Sequence, residues 1–309
     1  MAAPDFDVAI IGYGPVGATL ANLLGMSGLK VVVLEREPSV YHLPRAVSLD
    51  GEGMRLFQTM GLAERLLPKL NVSRNIRHVN TEGKLLGIYR LKGARCRDWE
   101  DIAIGPGPDP QRSYLYVGDI GDNQAKYPSI TIYRVPEPAV DPNRGLSETQ
   151  IGPVDAIELT YPDGPKDAET LLVDPLNGDM YVIAKREFFC RIYRSPHPQL
   201  TTKRTVMKLA ATLPWGFAVG GDVSPDGQWV IIRGPFSASL WRRPEGEDLC
   251  RAFSTEGFRL ALMPEPQGEG ICFDGDGRGY FTIGEQLHPP IYYFARTSSS
   301  QKSDAEPSD

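Results

Sequence analysis

The sequence predicts an α/β fragment of Rossmann type (a βαβ unit) followed by an all-β, incomplete β-propeller. Three observations carry that expectation. A short apolar run, Phe6 to Ile11, leads straight into Gly12-Tyr13-Gly14-Pro15-Val16-Gly17, with the spacing G-x-G-x-x-G; a helical pattern and a second apolar run follow. From about Asn80 onward, β-rich segments recur at blade-sized intervals. The 27 prolines and 32 glycines call for more turns than a pure α/β domain needs.

Taken in order, Phe6 to Ile11 suits a buried parallel strand. Gly12 permits the tight turn out of it. Gly14 has no side chain to keep a pyrophosphate from the backbone, and Gly17 lets the helix lie close to the sheet. The helix places Val16, Leu20, Leu23 and Leu24 on one face, with Gly28 as its stop. Its N-terminus offers unpaired N–H groups and a partial positive charge to phosphates. Val31 to Leu34 is a second buried strand ending on Glu35, 18 residues beyond Gly17. A carboxylate there can accept hydrogen bonds from adenosine ribose hydroxyls. Glycines mark many strand-to-helix turns, but here strand, helix, second strand and terminal acid fall in order, which is the context a dinucleotide site requires.

Beyond Glu35, Pro38 to Ala46 reads as a loop. Asp50 can cap a helix whose apolar face includes Met54, Phe57 and Met60; Gly61 breaks it, and Leu62 to Leu67 makes another short helical turn. The stretch GYGPVGATLANLLGMSGLKVVVLEREPSVYHLPRAVSLDGEGMRLFQTMGLAERLL resembles the opening of the flavin-dependent aromatic hydroxylases, the group A flavoprotein monooxygenases, and within them the hydroxyphenylpropionate hydroxylase branch. The likeness covers roughly residues 5–78. It implies FAD in the glycine site, with NAD(P)H as electron donor in an active enzyme. The implied cofactor-binding set is Gly12, Gly14, Pro15, Val16, Gly17, Glu35, Arg36 and Arg45, the last in the Pro-Arg-Ala segment near the flavin and its pyrophosphate. No catalytic residue is assigned.

The rest of the chain does not continue that family's pattern. The Gly-Asp pairs at Gly118, Gly121, Gly178, Gly221 and Gly275 are none of them followed by the Ala-x-His that closes the cofactor groove in such hydroxylases. Instead, an acidic residue, a strand, a turn and a Tyr-containing strand recur. Asp98-Trp99-Glu100-Asp101-Ile102 precedes Tyr114 and Tyr116, Ala168-Glu169-Thr170 precedes Tyr181, and Gly268-Glu269-Gly270 precedes Tyr280. A fourth copy reads Gly221-Asp222-Val223-Ser224-Pro225-Asp226-Gly227-Gln228-Trp229, with Asp222 in the place of the glutamates. A plain sandwich explains the strands but not the recurring acid and Tyr. This body resembles bacterial propeller proteins with the signature DWEDIA…YVGDIGDN, near the phytase-like and lactonase-like propellers. The expected domains are therefore 1–79, FAD-binding; 80–296, propeller-like; and 297–309, a Ser- and charge-rich disordered tail.

Carboxylates at equivalent blade positions face a central channel together and repel unless a cation or protons neutralise them. Glu100, Glu169, Asp222 and Glu269 form one such set, and Asp119, Asp122 and Asn123 crowd a Gly-Asp-Ile-Gly-Asp-Asn loop whose oxygens suit Ca²⁺. The alternative is that these acids accept backbone N–H groups of neighbouring blades. His42, His78, His197 and His288 have no partner at metal-ligand spacing, Ser224 lacks a G-x-S-x-G elbow, and Trp99, Trp215, Trp229 and Trp241 read as packing residues.

Composition narrows the function classes. Net charge is −6; residues 1–88 carry nine Lys/Arg and eight Asp/Glu, the remainder 24 and 31. An acidic body without a basic stripe argues against nucleic-acid binding. No apolar run reaches a membrane span of about 18 residues. The start Met-Ala-Ala-Pro-Asp-Phe-Asp shows no basic signal region, and Cys96, Cys190, Cys250 and Cys272 form no pair, so a reducing cytoplasmic setting and a small-molecule ligand are expected. Two readings follow. One is an FAD-binding flavoprotein related to aromatic-ring monooxygenases, lacking the later flavin half and the substrate domain. The other is a propeller acting as a binding module or metal-dependent hydrolase of phosphate esters or lactones, joined to a non-functional nucleotide-binding remnant. A fused gene product with neither activity intact is the third possibility.

Overall fold

The computed structural model describes residues 5–36, 56–66, 76–79, 85–141, 147–265, 267–285 and 289–296. The chain divides into two compact units, residues 1–73 and 74–309. No helix among the described residues is long and apolar enough to cross a membrane.

In the first unit, β1 (Val8–Ile11) and β2 (Val31–Leu34) pair in parallel, Val8 opposite Val31 and Ile11 opposite Leu34. Parallel neighbours need a crossover, here α1 (Pro15–Met26). Pro15 opens the helix, where its missing N–H costs nothing. Gly28, at φ +84°, turns the chain after it, and the Leu29 N–H reaches the Leu24 carbonyl at 3.2 Å. A short α2 (Ala63–Leu66) follows. The strands are less covered than the sequence suggests. Of the described apolar side chains in this unit, Ile10 and Ala63 are buried, while Val16 is 81% exposed and Ile11, Leu20 and Leu34 are also open. Two strands offer too little sheet to cover the apolar face of the helix.

The second unit is all-β and contains a four-bladed, propeller-like arrangement. The first blade is β5 (Trp99–Pro106), β6 (Ser113–Asp119), β7 (Ile130–Pro136) and β9 (Asp155–Thr160), its outer edge closed by the parallel β13 (Thr205–Val206). The second is β10 (Ala168–Val173), β11 (Met180–Ala184), β12 (Arg191–Ser195) and β14 (Lys208–Thr212). The third is β15 (Gly220–Val223), β16 (Trp229–Arg233), β17 (Ala238–Arg242) and β18 (Phe258–Leu260). The fourth is β19 (Gly268–Phe273), β20 (Gly279–Gly284) and β21 (Ile291–Ala295). A further sheet of β3 (Ile76–Val79), β4 (Leu85–Leu91) and β8 (Ser147–Ile151) lies against the first blade, where Leu91 and Ile151 join Leu115, Val117 and Val135.

The innermost strands pack in chain order, β5 on β10, β10 on β15 and β15 on β19. The period-2 alternation of a strand explains this layering. Leu171 and Val173 of β10 enter the core shared with Tyr116, Ile132 and Ile157 of the first blade. Leu172, between them, enters the core shared with Val223, Val230 and Trp241 of the third. Both faces of β10 and β11 are buried, which is why these segments are almost wholly apolar.

Matching turns fix how the blades align. The Asp174 N–H reaches the Asp179 carbonyl at 2.8 Å, Ser224 reaches Trp229 at 2.9 Å, and Asp274 reaches Gly279 at 3.1 Å. Gly178, Gly227 and Gly277 take positive φ in these turns. Asp174, Ser224 and Asp274 are therefore equivalent. This overturns one sequence expectation: Asp222 does not match Glu169 and Glu269. Counting back from the turns, it matches Leu172 and Cys272, and Val219 stands in the glutamate slot. The strand registers agree. The pairing shifts between Trp99 and Asp101, between Ala168 and Thr170, and between Gly268 and Gly270, so Glu100, Glu169 and Glu269 are each the extra residue of a bulge. The pairing of β15 runs from Gly220 to Val223, and the Val219 N–H just before it donates to the Arg233 carbonyl at 2.9 Å.

Candidate functional site

In the first unit the site is the β1–α1 turn. Gly12 holds φ +97°, and its N–H donates to the Leu34 carbonyl at 2.7 Å. A Cβ on Gly17 would overlap the Gly12 carbonyl oxygen and stand 3.1 Å from its carbon, so only glycine lets the helix come this close. A Cβ on Gly14 would meet nothing within 4 Å. That position faces open space. Gly14 is the N-cap without a side-chain bond, and the first turn of the helix holds no acid. Glu35 follows β2, and its Oε2 accepts the Tyr13 N–H at 2.6 Å, tying the acid to the glycine loop. Arg36 is exposed beside it. Arg45, Asp50, Met54, His42, His288 and the tail from residue 297 lie outside the described residues. The loop fits the pyrophosphate and ribose of a dinucleotide: Gly12 to Gly17 would hold the former and Glu35 the latter.

In the second unit, the bulged Glu100, Glu169 and Glu269 come together at one end of the blades. Antiparallel hairpins bring the residues after each second strand to the same end, namely Ile120 to Asn123, Lys185 and Glu285. A Cβ on Gly121 would meet the Glu100 and Asp98 carboxylates, which places the Gly-Asp-Ile-Gly-Asp-Asn loop beside them. Lys185 pairs with Glu169, Arg186 with Asp167 at 2.7 Å, and the Asp122 N–H donates to Asp167 Oδ1 at 2.8 Å. Burial, then the neighbouring carboxylates Asp98, Glu169, Asp167 and Glu285, push Glu100 up to about 9. Burial, then Glu285 and Glu169, push Glu269 up to about 8 against the pull of Lys185. Sequence reasoning missed Asp98, Asp167, Lys185 and Glu285. The signal was present in Asp98-x-Glu100 and Asp167-x-Glu169, and in the first residue after each second strand.

The Ca²⁺ expectation finds no donor cage. Among the described residues no group of three or more His, Cys, Asp or Glu side chains is arranged to hold a metal ion. Asp119 Oδ1 instead accepts the N–H groups of Arg97 and Asp98, at 3.1 and 2.6 Å. Asp122 Oδ2 accepts Tyr127 at 2.7 Å, and Asn123 Oδ1 accepts Arg186. Asp222, away from the glutamates, accepts Val223 and the fourth blade's Phe273 N–H at 2.8 and 2.9 Å, and burial raises it to about 7. Asp101 does the same between the first and second blades, accepting Leu171 N–H at 2.8 Å. Blade-to-blade backbone bonding is thus the role of Asp101 and Asp222.

A stability prediction follows from the raised glutamates. The folded chain keeps protons on Glu100 and Glu269 that an unfolded chain releases above the usual glutamate value of 4.5. The contribution of these two groups is therefore fully present below that value and is lost as pH rises toward 9. The melting temperature should drop between pH 5 and 9, and Glu100→Gln should flatten the drop. A variant curve parallel to the parent's would remove Glu100 from this account.

These geometries define, at the amino end, a strand–helix–strand region with a glycine turn and, after it, a bladed all-β body. The family model described as FAD binding domain matches residues 5–138. A probable NADH-specific resorcinol 4-hydroxylase of Rhodococcus jostii (strain RHA1) is 52% identical over 91 residues, 29% of this chain and 17% of that protein. A 3-(3-hydroxy-phenyl)propionate/3-hydroxycinnamic acid hydroxylase 2 of Burkholderia vietnamiensis (strain G4 / LMG 22486) is 48% identical over 125 residues, 40% and 22% of the two chains. The amino-terminal part of the chain therefore resembles the FAD-dependent aromatic hydroxylases. The chain spans between 10% and 22% of the length of the curated relatives it matches. Among solved structures, a putative 6-phosphogluconolactonase from Bacteroides uniformis ATCC 8492 aligns with a TM-score of 0.35 at 11% identity, covering 75% of this chain and 63% of that one. The Nidogen/Laminin complex aligns with a TM-score of 0.35 at 13% identity, covering 53% and 54%.

Proposed function

We propose that the chain is an FAD-binding protein whose Rossmann-type βαβ unit holds the ADP half of the cofactor, and that it does not hydroxylate aromatic rings by itself. The observation that carries this is the contrast between two glycines: Gly17 has no room for a Cβ because the loop closes on it, whereas Gly14 opens to empty space at a helix N-terminus. FAD supplies redox chemistry when bound, with NAD(P)H as the electron donor in the hydroxylases. The residues of this chain would bind and orient its phosphates through Gly12, Gly14, Pro15, Val16 and Gly17 and its ribose through Glu35, with Arg36 and Arg45 beside them. The Ala-x-His segment that closes the groove in the related hydroxylases follows none of the five Gly-Asp pairs. We take residues 1–79 as this binding region, 80–296 as an incomplete propeller and 297–309 as a tail. The incompleteness rests on Ile104 of β5, 54% exposed on the face that a closing inner strand would cover.

Purified full-length protein should bind ADP and FAD in calorimetry, release FAD on denaturation if it is isolated yellow, and oxidise NAD(P)H only at background with phenolic acids present. Glu35→Ala and Gly14→Val should each abolish nucleotide binding. Unchanged binding in both variants would discard the glycine site, and substrate-dependent NADH oxidation would discard the inactive reading.

A further inference from the structure

We propose that the end of the blades carrying Glu100, Glu169 and Glu269 binds an organic cation, an ammonium group borne on an apolar or aromatic body. This reading is independent of the flavin site.

Four observations converge on it. First, acids crowd this end: Asp98, Glu169, Asp167 and Glu285 all raise Glu100, and Glu285 and Glu169 raise Glu269, with Lys185 drawn to Glu169 and Glu269. Second, Glu169 is only 6% exposed, and although its Oε1 takes Lys185, its Oε2 has no partner. Asp122 Oδ1, in the adjoining loop, is likewise buried and unmatched. A buried carboxylate oxygen left without a donor costs free energy that a bound cation would recover.

Third, the third blade brings no acid to this end. Val219 occupies the glutamate slot, and Pro235 occupies the place of Lys185 and Glu285. The loops there carry exposed phenyl rings instead. The Phe217 N–H donates to the Lys185 carbonyl at 2.9 Å, and a Cβ on Gly216 would stand 3.3 Å from the Phe188 carbonyl. A Cβ on Gly234 would stand 3.2 Å from the Phe217 carbonyl, so the loop that carries Phe236 starts at the same end of the blades. Phe188, Phe217 and Phe236 are all exposed, Phe236 at 92%. Exposed rings on loops at the same end as the carboxylates can attract a diffuse organic cation through their negative faces. Fourth, the same acids do not form a cage for a hard metal ion among the described residues, which would need six or more oxygens converging at 2.3–2.6 Å.

The test is calorimetric titration of the full-length protein with benzyltrimethylammonium chloride, alongside benzyl alcohol as an uncharged control and CaCl₂ as an inorganic cation. Ammonium binding should be seen, and affinity should rise from pH 6 to 9 as Glu100 and Glu269 lose protons beside Asp98, Asp167, Glu169, Glu285 and Lys185. At pH 9, where the Glu100 carboxylate ionises, Glu100→Gln keeps the shape and removes that charge and should weaken binding at least roughly tenfold, whereas at pH 6 the variant and the parent should bind alike. Phe236→Ala, at an exposed ring, should weaken it roughly fivefold. The Gly14→Val variant should bind the ammonium as the parent does, so loss of the flavin site and loss of this one are separable. No ammonium binding at millimolar ligand, equal binding of benzyl alcohol, tighter binding of Ca²⁺ in competition, or indifference to Glu100→Gln at pH 9 would each overturn the proposal.

Discussion

Gly17→Ala should lose ADP binding together with the fold of the loop, whereas Gly14→Val should lose the ligand alone. The difference lies in what a new side chain meets. At Gly17 the obstacle is the Gly12 carbonyl, which is backbone and cannot rotate aside. The loop must open, and two hydrogen bonds go with it: Gly12 N–H to Leu34 at 2.7 Å and Tyr13 N–H to Glu35 at 2.6 Å. Each contributes about 1 kcal/mol net. The unit has little in reserve, since Ile10 and Ala63 are its buried apolar residues among those described. At Gly14, φ −70° and ψ −176° suit any residue and the added atoms face open space. Only a pyrophosphate seated there would meet them. ADP titration shows the shared loss, expected to exceed roughly a hundredfold in both variants. Limited proteolysis between residues 5 and 36 separates them, Gly17→Ala being cut faster and Gly14→Val as slowly as the parent. Wild-type ADP affinity in Gly17→Ala would refute the close-approach argument.

The glycine loop was legible because backbone geometry restricts the residue type: Gly12 needs positive φ and Gly17 needs an absent Cβ, and both demands show as letters. Blade-sized repetition was legible for a similar reason, since the turns from Asp174, Ser224 and Asp274 each need a glycine at positive φ three or four residues on. The register within a blade was not. An acid, a strand and a turn describe Asp222 as well as Glu169, and only the turns show that Val219, not Asp222, stands where the other blades place the glutamate. Asp101 stayed hidden beside Glu100 because adjacent residues of a bulged strand part company: one turns to the acidic end, the other to the next blade's backbone. The exposure of Val16 and Leu20 was also unreadable, because a helical apolar face says nothing of how many strands lie beneath it.

Glu265→Ala should be the most destabilising single change in the bladed unit, by about 3–5 kcal/mol. Arg233 sits on β16 opposite Gly220, at the register position where β11 has Ile183 and β20 has Ile283. A guanidinium in an isoleucine's place is buried between blades, and both side chains of the pair are 1% exposed. Its NH1 donates to Glu265 Oε2 at 2.9 Å and to the Gly270 carbonyl at 3.1 Å. Glu265 Oε1 in turn accepts the Thr282 hydroxyl at 3.1 Å. One ion pair therefore joins the third blade to both inner strands of the fourth. Removing the carboxylate strands a charge without its counter-ion, which costs more than the pair contributes when intact. The melting temperature of Glu265→Ala should fall by roughly 10 °C. The double variant Arg233→Met with Glu265→Leu should regain most of that fall, because no charge is left buried. A loose fourth blade also releases Glu269 and Glu285 from the acidic end. The single variant should then bind benzyltrimethylammonium more weakly than the parent, while the double variant recovers binding along with stability. A single variant melting within about 1 °C of the parent would mean that water reaches the guanidinium, and the blade junction would need another explanation.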